Sequence, residues 1–233
     1  MARSKRMGAA ARRRWLAFGG LLAGLGLVAG WWVAGQWMPA RERFPVQGVE
    51  IAASDGAVNF AALKAARADF AYLRATSGTK RDPAFGEAFA QAREAGLQVG
   101  AVHRFDPCAD AGAQAGVFVT VVPRDAALLP PAVELELDDV ECAAPPAEGA
   151  MASELTTFLN QVEAHAGKPA ILKLSKPFEK RYHLAAMIDR NLWVTGAYLA
   201  PGYPGRPWVM WTANPRLRSP AADARLRWVV VRP

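Results

Sequence analysis

Hydrophobic positions along the chain fall into two different patterns. Residues 15–35 carry no charged or amide side chain, and at a rise of about 1.5 Å per residue such a helix crosses a hydrocarbon core of about 30 Å. Beyond residue 45, apolar runs of strand length alternate with alanine-rich stretches of helical length. Alternation of this kind is typical of βαβ units. We therefore expect one N-terminal transmembrane helix followed by one α/β domain.

The apolar runs and the turn residues between them predict the individual elements of the domain. The expected strands lie at 46–51, 70–75, 99–105, 132–137, 170–174, 192–198, 208–212 and 228–231. The expected helices lie at 60–67, 83–95, 111–121 and 151–164. The later strands are short and joined by Pro- and Gly-rich loops, so the pattern predicts a barrel with a regular first half and an abbreviated second half.

Four segments are expected along the chain. They are a basic cytoplasmic tail (1–14), a transmembrane anchor (15–38), a linker (39–45) and the barrel domain (46–233). The basic run at 12–14 would keep the N-terminus in the cytoplasm and place the domain in the periplasm of a bacterial inner membrane. The alternative is a cleaved signal peptide, with cleavage near Ala29 or Ala34. Signal peptides have apolar regions of roughly 7 to 15 residues, so the longer run favours an anchor.

Charge is distributed unevenly. The sequence pI is about 9.8, but residues 1–44 hold eight of the 28 basic residues and one of the 21 acidic ones. The remaining chain is therefore neutral, with 20 residues of each sign. A neutral domain lacks the basic surface that phosphate binding requires, so nucleic-acid binding is not expected.

The two cysteines, Cys108 and Cys142, lie on loops after consecutive predicted strands. An even count in an exported chain permits one disulfide, and two free thiols are the alternative. Because no histidine stands at a suitable spacing, no zinc site is expected.

Carboxylates gather at the end of the strand predicted at 132–137. Glu134 and Glu136 are two residues apart and share one face of it, Asp138 and Asp139 follow, and Glu50 falls near the end of the first strand. In parallel barrels these strand ends form the open mouth, where reactive groups meet. Paired carboxylates can hydrolyse glycosides. The alternative is an acidic, solvated strand end.

Several segments resemble the lysozyme family called glycoside hydrolase family 25, in order and spacing across residues 46–233. They are QGVEIAASDG at 47–56, FAYLRATSG at 70–78, DPAFGEAFAQAREAGLQVG at 82–100, AVHRF at 101–105, LPPAVELE at 129–136 and KPAILKL at 168–174. The resemblance implies a flattened (β/α)5β3 barrel that cleaves peptidoglycan after N-acetylmuramic acid. That chemistry needs no metal or organic cofactor.

The family's acidic motif at the end of strand four falls on Glu134 and Glu136. The resemblance implies that Glu136 donates the proton, while Glu134 and Glu50 stabilise the positively charged intermediate and orient the substrate. Glu134 and Glu50 stand where the family has Asp, so each side chain is one methylene longer. A misplacement of about an ångström can lower the rate about a hundredfold.

Three further matches or departures concern the substrate groove. His103 matches the family and could bind sugar hydroxyls or be an interior histidine. Trp211 also matches and could stack on a sugar ring, although most strand tryptophans are core residues. Ser77 stands where the family has Glu.

Lys173 and Arg227 are the most informative departures, because the family has Tyr and Asp at these positions. If both project into the mouth, they face the three acids and lower the pKa of those carboxyl groups. This motivates the hypothesis of an internally neutralised groove.

Two functions follow, and a third has less support. The first is a muramidase-like hydrolase of peptidoglycan. The second is a catalytically impaired envelope protein that binds glycan strands or acts as a scaffold, and the third is an anchored structural module without a ligand. Retention of three acids favours the enzyme. The sequence leaves the oligomeric state open, with a monomer as the simplest expectation.

Overall fold

The computed structural model describes residues 9–137 and 144–233. The chain divides into two units, Met1–Trp37 and Met38–Pro233. The described part of the first unit is helix α1, Ala9–Ala34, on which every large apolar side chain described is exposed. Within the described residues, no helix combines the length and the apolar character needed to cross a membrane. The transmembrane span expected at 15–38 therefore has no support in the structure.

The second unit is an eight-stranded barrel. Its strands are β1 (Gln47–Ile51), β2 (Phe70–Ser77), β4 (Gln98–Arg104), β5 (Ala132–Leu135), β6 (Ile171–Leu174), β7 (Asn191–Thr195), β8 (Met210–Ser219) and β9 (Ala222–Val231). They follow the order β1-β9-β8-β7-β6-β5-β4-β2, and pairing of β1 with β2 closes the ring. A two-residue strand, β3 (Lys80–Arg81), pairs with the end of β2.

Helices follow each of the first five barrel strands. They are α2 (Phe60–Ala65), α3 (Phe85–Glu94), α4 (Ala111–Val121), α5 (Glu148–Ala166) and α6 (Lys176–Tyr182), with the short α7 (Leu184–Met187) after α6. Among the eight barrel strands, every pairing except those of β9 is parallel, and β9 runs antiparallel to both β8 and β1. Five β/α units followed by three strands confirm the (β/α)5β3 order.

Local sequence explains where the helices begin. Asp110 accepts a hydrogen bond from the backbone N–H of Ala113 at the start of α4, and Ser175 does the same for Phe178 at the start of α6. Such caps satisfy backbone donors that a helix leaves unpaired.

Alternation along the strands sends one set of side chains into the barrel. The inner set forms an apolar floor of buried residues, namely Phe70, Tyr72, Val102, Ala132, Ile171, Trp193, Met210 and Val229. Gly48 and Gly100 leave room for the large rings of this floor. A Cβ at Gly48 would lie 2.5 Å from the Phe70 ring, and one at Gly100 would lie 2.3 Å from the Tyr72 ring.

The structure differs from the sequence pattern mainly in the second half. The strands predicted at 208–212 and 228–231 are the barrel ends of two ten-residue strands, which form a long β8–β9 hairpin. Helix α6 was not predicted. The pattern did correctly place α4 and the strands of the first half to within two residues.

Candidate active site

The charged residues of the mouth lie one layer above the apolar floor. Arg74, Glu134, Lys173 and Arg227 each stand two residues from a floor residue on the same strand, and therefore point into the barrel at its open end. Glu50 pairs with Arg227 across β1 and β9 and joins this layer. Five charged side chains thus meet at the C-terminal ends of the parallel strands, the end at which such barrels carry their active sites.

Lys173 is the centre of this layer. Its ammonium donates a hydrogen bond to Glu50 Oε1 at 2.6 Å and another to Glu134 Oε1. All three side chains are at most 3% exposed. Beneath the ammonium, the ring of Trp193 lies 5.4 Å away and donates from Nε1 to Thr212. The family-like acids are therefore held together by a buried cation.

Glu134 carries a second partner on its other oxygen. Arg74 Nη2 lies 2.6 Å from Glu134 Oε2. Burial alone would raise the pKa of Glu134, but the charges of Lys173 and Arg74 outweigh burial and lower that pKa to about 2. Glu134 is therefore ionised at every pH at which the protein would work.

Burial would likewise lower the pKa of Lys173. The negative charges of Glu50, Glu134 and Glu136 reverse this and raise the pKa above its ordinary value. Lys173 is consequently an ammonium, which excludes it as a neutral nucleophile.

Arg227 connects Glu50 to the segment after β1. Its guanidinium makes a two-pronged ion pair with Asp55, in which Nη1 lies 3.2 Å from Oδ1, and its Nε lies 3.6 Å from Glu50 Oε2. Asp55 also accepts the backbone N–H of Ala52 at 2.8 Å. Among the described residues, neither Glu50 Oε2 nor Arg227 Nε makes a hydrogen bond. These two buried atoms face each other as an ion pair just beyond hydrogen-bond distance.

Glu136 lies nearer to the opening of the barrel than Glu134. It follows the end of β5 and is half-buried, whereas Glu134 is fully buried. Its negative charge contributes to the raised pKa of Lys173 and, after burial and Glu179, to that of Tyr203. Of the three glutamates named here, Glu136 is therefore the one that a substrate can reach, whereas the barrel encloses Glu50 and Glu134.

Two predicted groove residues lie elsewhere. His103 is fully buried on the outer side of β4, where Nδ1 shares a hydrogen bond with Thr76, Nε2 meets Gln114, and the ring stacks on Phe158 of α5 at 4.4 Å. Burial lowers the pKa of His103 to about 4. The position corresponds to the interior histidine that the sequence left as an alternative, and not to a sugar ligand.

Trp211 also points away from the mouth. It is 3% exposed and packs against Phe44 and Trp208, with ring centroids at 5.9 and 6.2 Å. The position is a core position, which contradicts the expected stacking on a sugar. Ser77, by contrast, is exposed at the C-terminal end of β2, as a groove residue should be.

The sequence reading missed three members of the site. They are Arg74, Asp55 and Trp193. Arg74 had a recognisable signal, since it is a charged residue two positions after a buried Tyr on a buried strand. Asp55 and Trp193 had no such signal, because their roles depend on strands that are distant in sequence.

The remaining predictions concern the loop after β5 and the cysteines. Cys108 is disulfide-bonded. Cys142, Asp138 and Asp139 lie outside the described residues, so the pairing of Cys108 with Cys142 stays a prediction. No cluster of three or more potential metal ligands is found within the described ranges.

A cavity lies apart from the acid cluster. It has a volume of about 560 Å³ and lies between the segment after β1, α3 and the tip of the β8–β9 hairpin. Glu50, Glu134 and Glu136 are not among its lining residues, whereas Arg74 is. We place the chemistry at the acids, because the carboxylates at the strand ends lie where barrels of this kind carry their active sites.

Comparison with known proteins identifies the family of the barrel. The sequence profile of Glycosyl hydrolases family 25 matches residues 49–214. Uncharacterized protein YegX of Escherichia coli K12 is 30% identical over 155 residues, which cover 64% of this chain and 54% of YegX. Lysozyme M1 of Streptomyces globisporus is 35% identical over 96 residues, or 39% of this chain and 33% of that protein. The chain thus spans about half the length of YegX.

Solved structures share the fold. The lysozyme of Streptomyces coelicolor has a TM-score of 0.73 and 22% identity over 80% of this chain and 91% of its own. A family 25 glycosyl hydrolase of Bacillus anthracis has a TM-score of 0.74 and 23% identity over 83% and 91%. With the profile matching most of the domain, the chain belongs to glycosyl hydrolases family 25.

Proposed function

We propose that the barrel is a muramidase-type glycoside hydrolase of peptidoglycan. One observation carries the proposal: two carboxylates two residues apart at one strand end have different environments. Glu134 is buried and held ionised by Lys173 and Arg74, while Glu136 is half-buried at the mouth. Divergent environments of this kind separate the two roles that glycoside hydrolysis assigns to its carboxylates.

In this mechanism Glu136 gives its proton to the oxygen of the scissile bond. Positive charge then develops on the sugar, and the permanently ionised Glu134 stabilises it from below. Glu50, which the barrel encloses, acts only through its negative charge, which adds to that of Glu134 through their shared contact with Lys173. The water that completes hydrolysis gives its proton to the Glu136 carboxylate left by the first step. All of these steps use side chains of this chain alone.

Lys173 and Arg227 face the acids, as the neutralised-groove hypothesis expected. The comparisons nevertheless do not favour a non-catalytic binder, since lysozymes and muramidases recur among the relatives. The cations pair with Glu50 and Glu134, and the charges of Lys173 and Arg74 lower the pKa of Glu134, which a family-like mechanism needs in its ionised form. The proton donor is a different residue.

The test is digestion of purified peptidoglycan by the full chain, followed by turbidity and released muropeptides. The Glu136→Gln variant keeps the shape of the side chain without a transferable proton, and general acid catalysis contributes roughly a hundredfold to ten-thousandfold. We expect activity to fall by that factor. Glu154→Gln, at an exposed position on α5, should match the unmodified protein. If the unmodified chain and Glu136→Gln are both inert but still sediment with peptidoglycan, the barrel is a binding module instead.

We further propose that α1 attaches the chain to a membrane, with the barrel on the periplasmic side. Large apolar side chains are exposed along α1, among them Phe18, Leu25 and Trp32, and a basic run precedes them in sequence. The disulfide at Cys108 suits an oxidising compartment.

A further inference from the structure

The cavity between the segment after β1, α3 and the hairpin tip lies beside the acid layer. Ile51 and Leu73, near the C-terminal ends of β1 and β2, line it. Arg74 lines it as well and pairs with Glu134 at 2.6 Å. Arg74 therefore forms a wall that the cavity and the acid layer share. The volume of about 560 Å³ is typical of binding sites for small molecules, which range from about 300 to 1,000 Å³.

Hydrogen bonds between distant segments hold the walls of this cavity in place. Asp82 accepts the backbone N–H of Ala53 at 3.1 Å and that of Ala84 at 2.9 Å, which joins the segment after β1 to the start of α3. On the other side, the backbone N–H of Asn59 donates to the carbonyl of Ala221 at 2.7 Å, in the turn of the β8–β9 hairpin. The cavity is therefore formed before a ligand binds, as binding sites usually are.

The lining combines apolar surface with an excess of negative charge. Most lining residues are apolar, and the charged ones are three acids and one base, namely Asp82, Glu87, Asp223 and Arg74. Asp82 is engaged with backbone N–H groups, and Arg74 is engaged with Glu134. The charge of the cavity toward a ligand therefore comes mainly from the other two acids.

Glu87 and Asp223 lie where the cavity opens to solvent, since both line it and both are exposed. Glu87 accepts a hydrogen bond from the neutral side-chain amide of Gln91 at 3.0 Å. Among the described residues, neither Glu87 nor Asp223 forms an ion pair. Two carboxylates without a cationic partner thus stand above apolar walls.

We propose that this cavity binds the diamino acid in the peptide stems of peptidoglycan through its free side-chain amino group. This inference rests on the proposed function and adds a second contact region to it. Long cationic side chains bury their methylene groups against apolar surface and keep the ammonium in water, which matches apolar walls below exposed carboxylates. The sugars of the glycan are neutral, and the other ionised groups of a stem are carboxylates, which this lining would repel.

The position of the cavity suits the length of a stem. A stem starts at the lactyl group of the muramic sugar, and its diamino acid is the third residue. At about 3.3 Å for each extended residue, three residues span about 10 Å. A site for the diamino acid must therefore adjoin the mouth, as the wall shared through Arg74 does.

The experiment measures co-sedimentation of the full chain with two preparations of the same peptidoglycan, whose stems contain lysine. One keeps its free amino groups, and in the other acetic anhydride has acetylated them and removed their charge. The first test variant is Glu87→Gln/Asp223→Asn. Its matched control is Glu94→Gln/Glu154→Gln, which removes two exposed acids that do not line the cavity. The second test variant, Ala88→Phe, fills the cavity without changing its charge.

Every chain in the binding measurement also carries Glu136→Gln, so that the peptidoglycan stays undigested. We expect the reference chain and the control to bind the free-amine preparation roughly threefold to fivefold more tightly than the acetylated one, as exposed ion pairs give. Both test variants should bind the two preparations equally, at the level of the acetylated form. Thermal midpoints show that each variant is folded.

Two results would overturn the inference. The first is an unchanged preference for free amines in Glu87→Gln/Asp223→Asn. The second is a preference that this variant loses but folded Ala88→Phe keeps, because surface charge outside the cavity would then bind the amines.

Released muropeptides, recorded with Glu136 restored, separate the two proposals. Amine-selective binding without cleavage would remove the hydrolase and keep the contact with the diamino acid. Cleavage without amine selectivity would keep the hydrolase and remove the contact.

Discussion

Lys173 is a buried ammonium between two carboxylates, and its removal should leave both without their shared donor. In Lys173→Met the apolar side chain cannot compensate the charges of Glu50 and Glu134. Breaking a buried ion pair by deleting one partner costs about 3 to 5 kcal/mol. We expect the free energy of unfolding, measured with urea at pH 7, to fall by that amount.

Lys180→Met is the matched control, because Lys180 is exposed on α6. Exposed changes usually alter stability by no more than about 0.5 kcal/mol. Equal stability of the two variants would mean that Lys173 contributes nothing to holding the acids.

His103 should make the barrel less stable as the pH falls below neutrality. Its pKa is lowered from 6.5 to about 4 by burial, so between these values the unfolded chain binds the extra proton. The contribution of the neutral imidazole to the free energy of unfolding is therefore fully present above pH 6.5. It decreases as the pH falls to about 4, by about 3 kcal/mol in total. Thermal midpoints measured across this range should record the decline.

The variant His103→Gln should reduce that pH dependence, whatever its effect at pH 7. His183→Asn removes an exposed histidine in a left-handed backbone conformation that Asn tolerates, and should leave the pH dependence unchanged. A pH profile that is the same in His103→Gln as in the unmodified protein would contradict the assignment.

Individual residues show what the sequence can and cannot specify. Glu50, Glu134, Glu136, Lys173 and Arg227 were identified in advance, and the structure brings them to one mouth. The predicted contacts of His103 and Trp211 with sugar were wrong, because both side chains lie on the strand face that points away from the mouth. A one-residue change of register exchanges the faces, so only the pairing of β4 and β8 with their neighbours decides which way these rings point.

At the scale of elements, the packing of β2 beside β4 requires a glycine at position 100. Gly100 leaves space for the Tyr72 ring, which a Cβ would approach to 2.3 Å. We expect Gly100→Ala to lower the free energy of unfolding by about 1 to 3 kcal/mol, as overpacking of a filled core does. Urea denaturation measures the loss.

Gly116→Ala provides the comparison within helix α4, where nothing lies within 4 Å of the added Cβ. Alanine is the better helix former by about 1 kcal/mol, so this variant should be as stable as the unmodified protein or more so. If both alanine variants behave alike, the Tyr72 ring does not fill the space at Gly100.

The β8–β9 hairpin shows why elements were harder to predict late in the chain. Residues 213–226 include two prolines and several alanines, which are uncommon in strands. The strands form because each pairs with the other, and because Leu217 and Leu226 are buried on one side. This support comes from the partner strand and from burial, so the residues of either strand taken alone do not indicate it. In the first half, by contrast, the apolar pattern and the turn residues of each β/α unit lie within the unit itself, so its strand and helix can be predicted locally.

At the scale of the whole molecule, attachment to a membrane should depend on the apolar surface of α1. Leu25 and Val28 are 58% and 65% exposed. We expect Leu25→Lys/Val28→Lys to release the protein from the membrane fraction into the carbonate wash, because a lysine near the centre of an apolar helix costs about 2.5 to 3.5 kcal/mol in a bilayer.

The control is Leu199→Lys, at a position in the barrel unit that is 81% exposed. It should stay with the membrane fraction together with the unmodified chain. Recovery of the unmodified chain in the supernatant before any wash would disprove attachment.

The pairing of β1 with both β2 and β9 has a consequence for biosynthesis. β1 can pair with β2, which follows it by about twenty residues. Its other neighbour is β9, where Glu50 pairs with Arg227, 177 positions later in the chain. The ring therefore stays open on the ribosome until residues 222–231 have emerged. Contacts of such long sequence separation slow folding and leave strand edges exposed. Nascent chains stalled before β9 should for this reason be captured by chaperones, and the layer of charged residues at the mouth should form only when β9 pairs with β1.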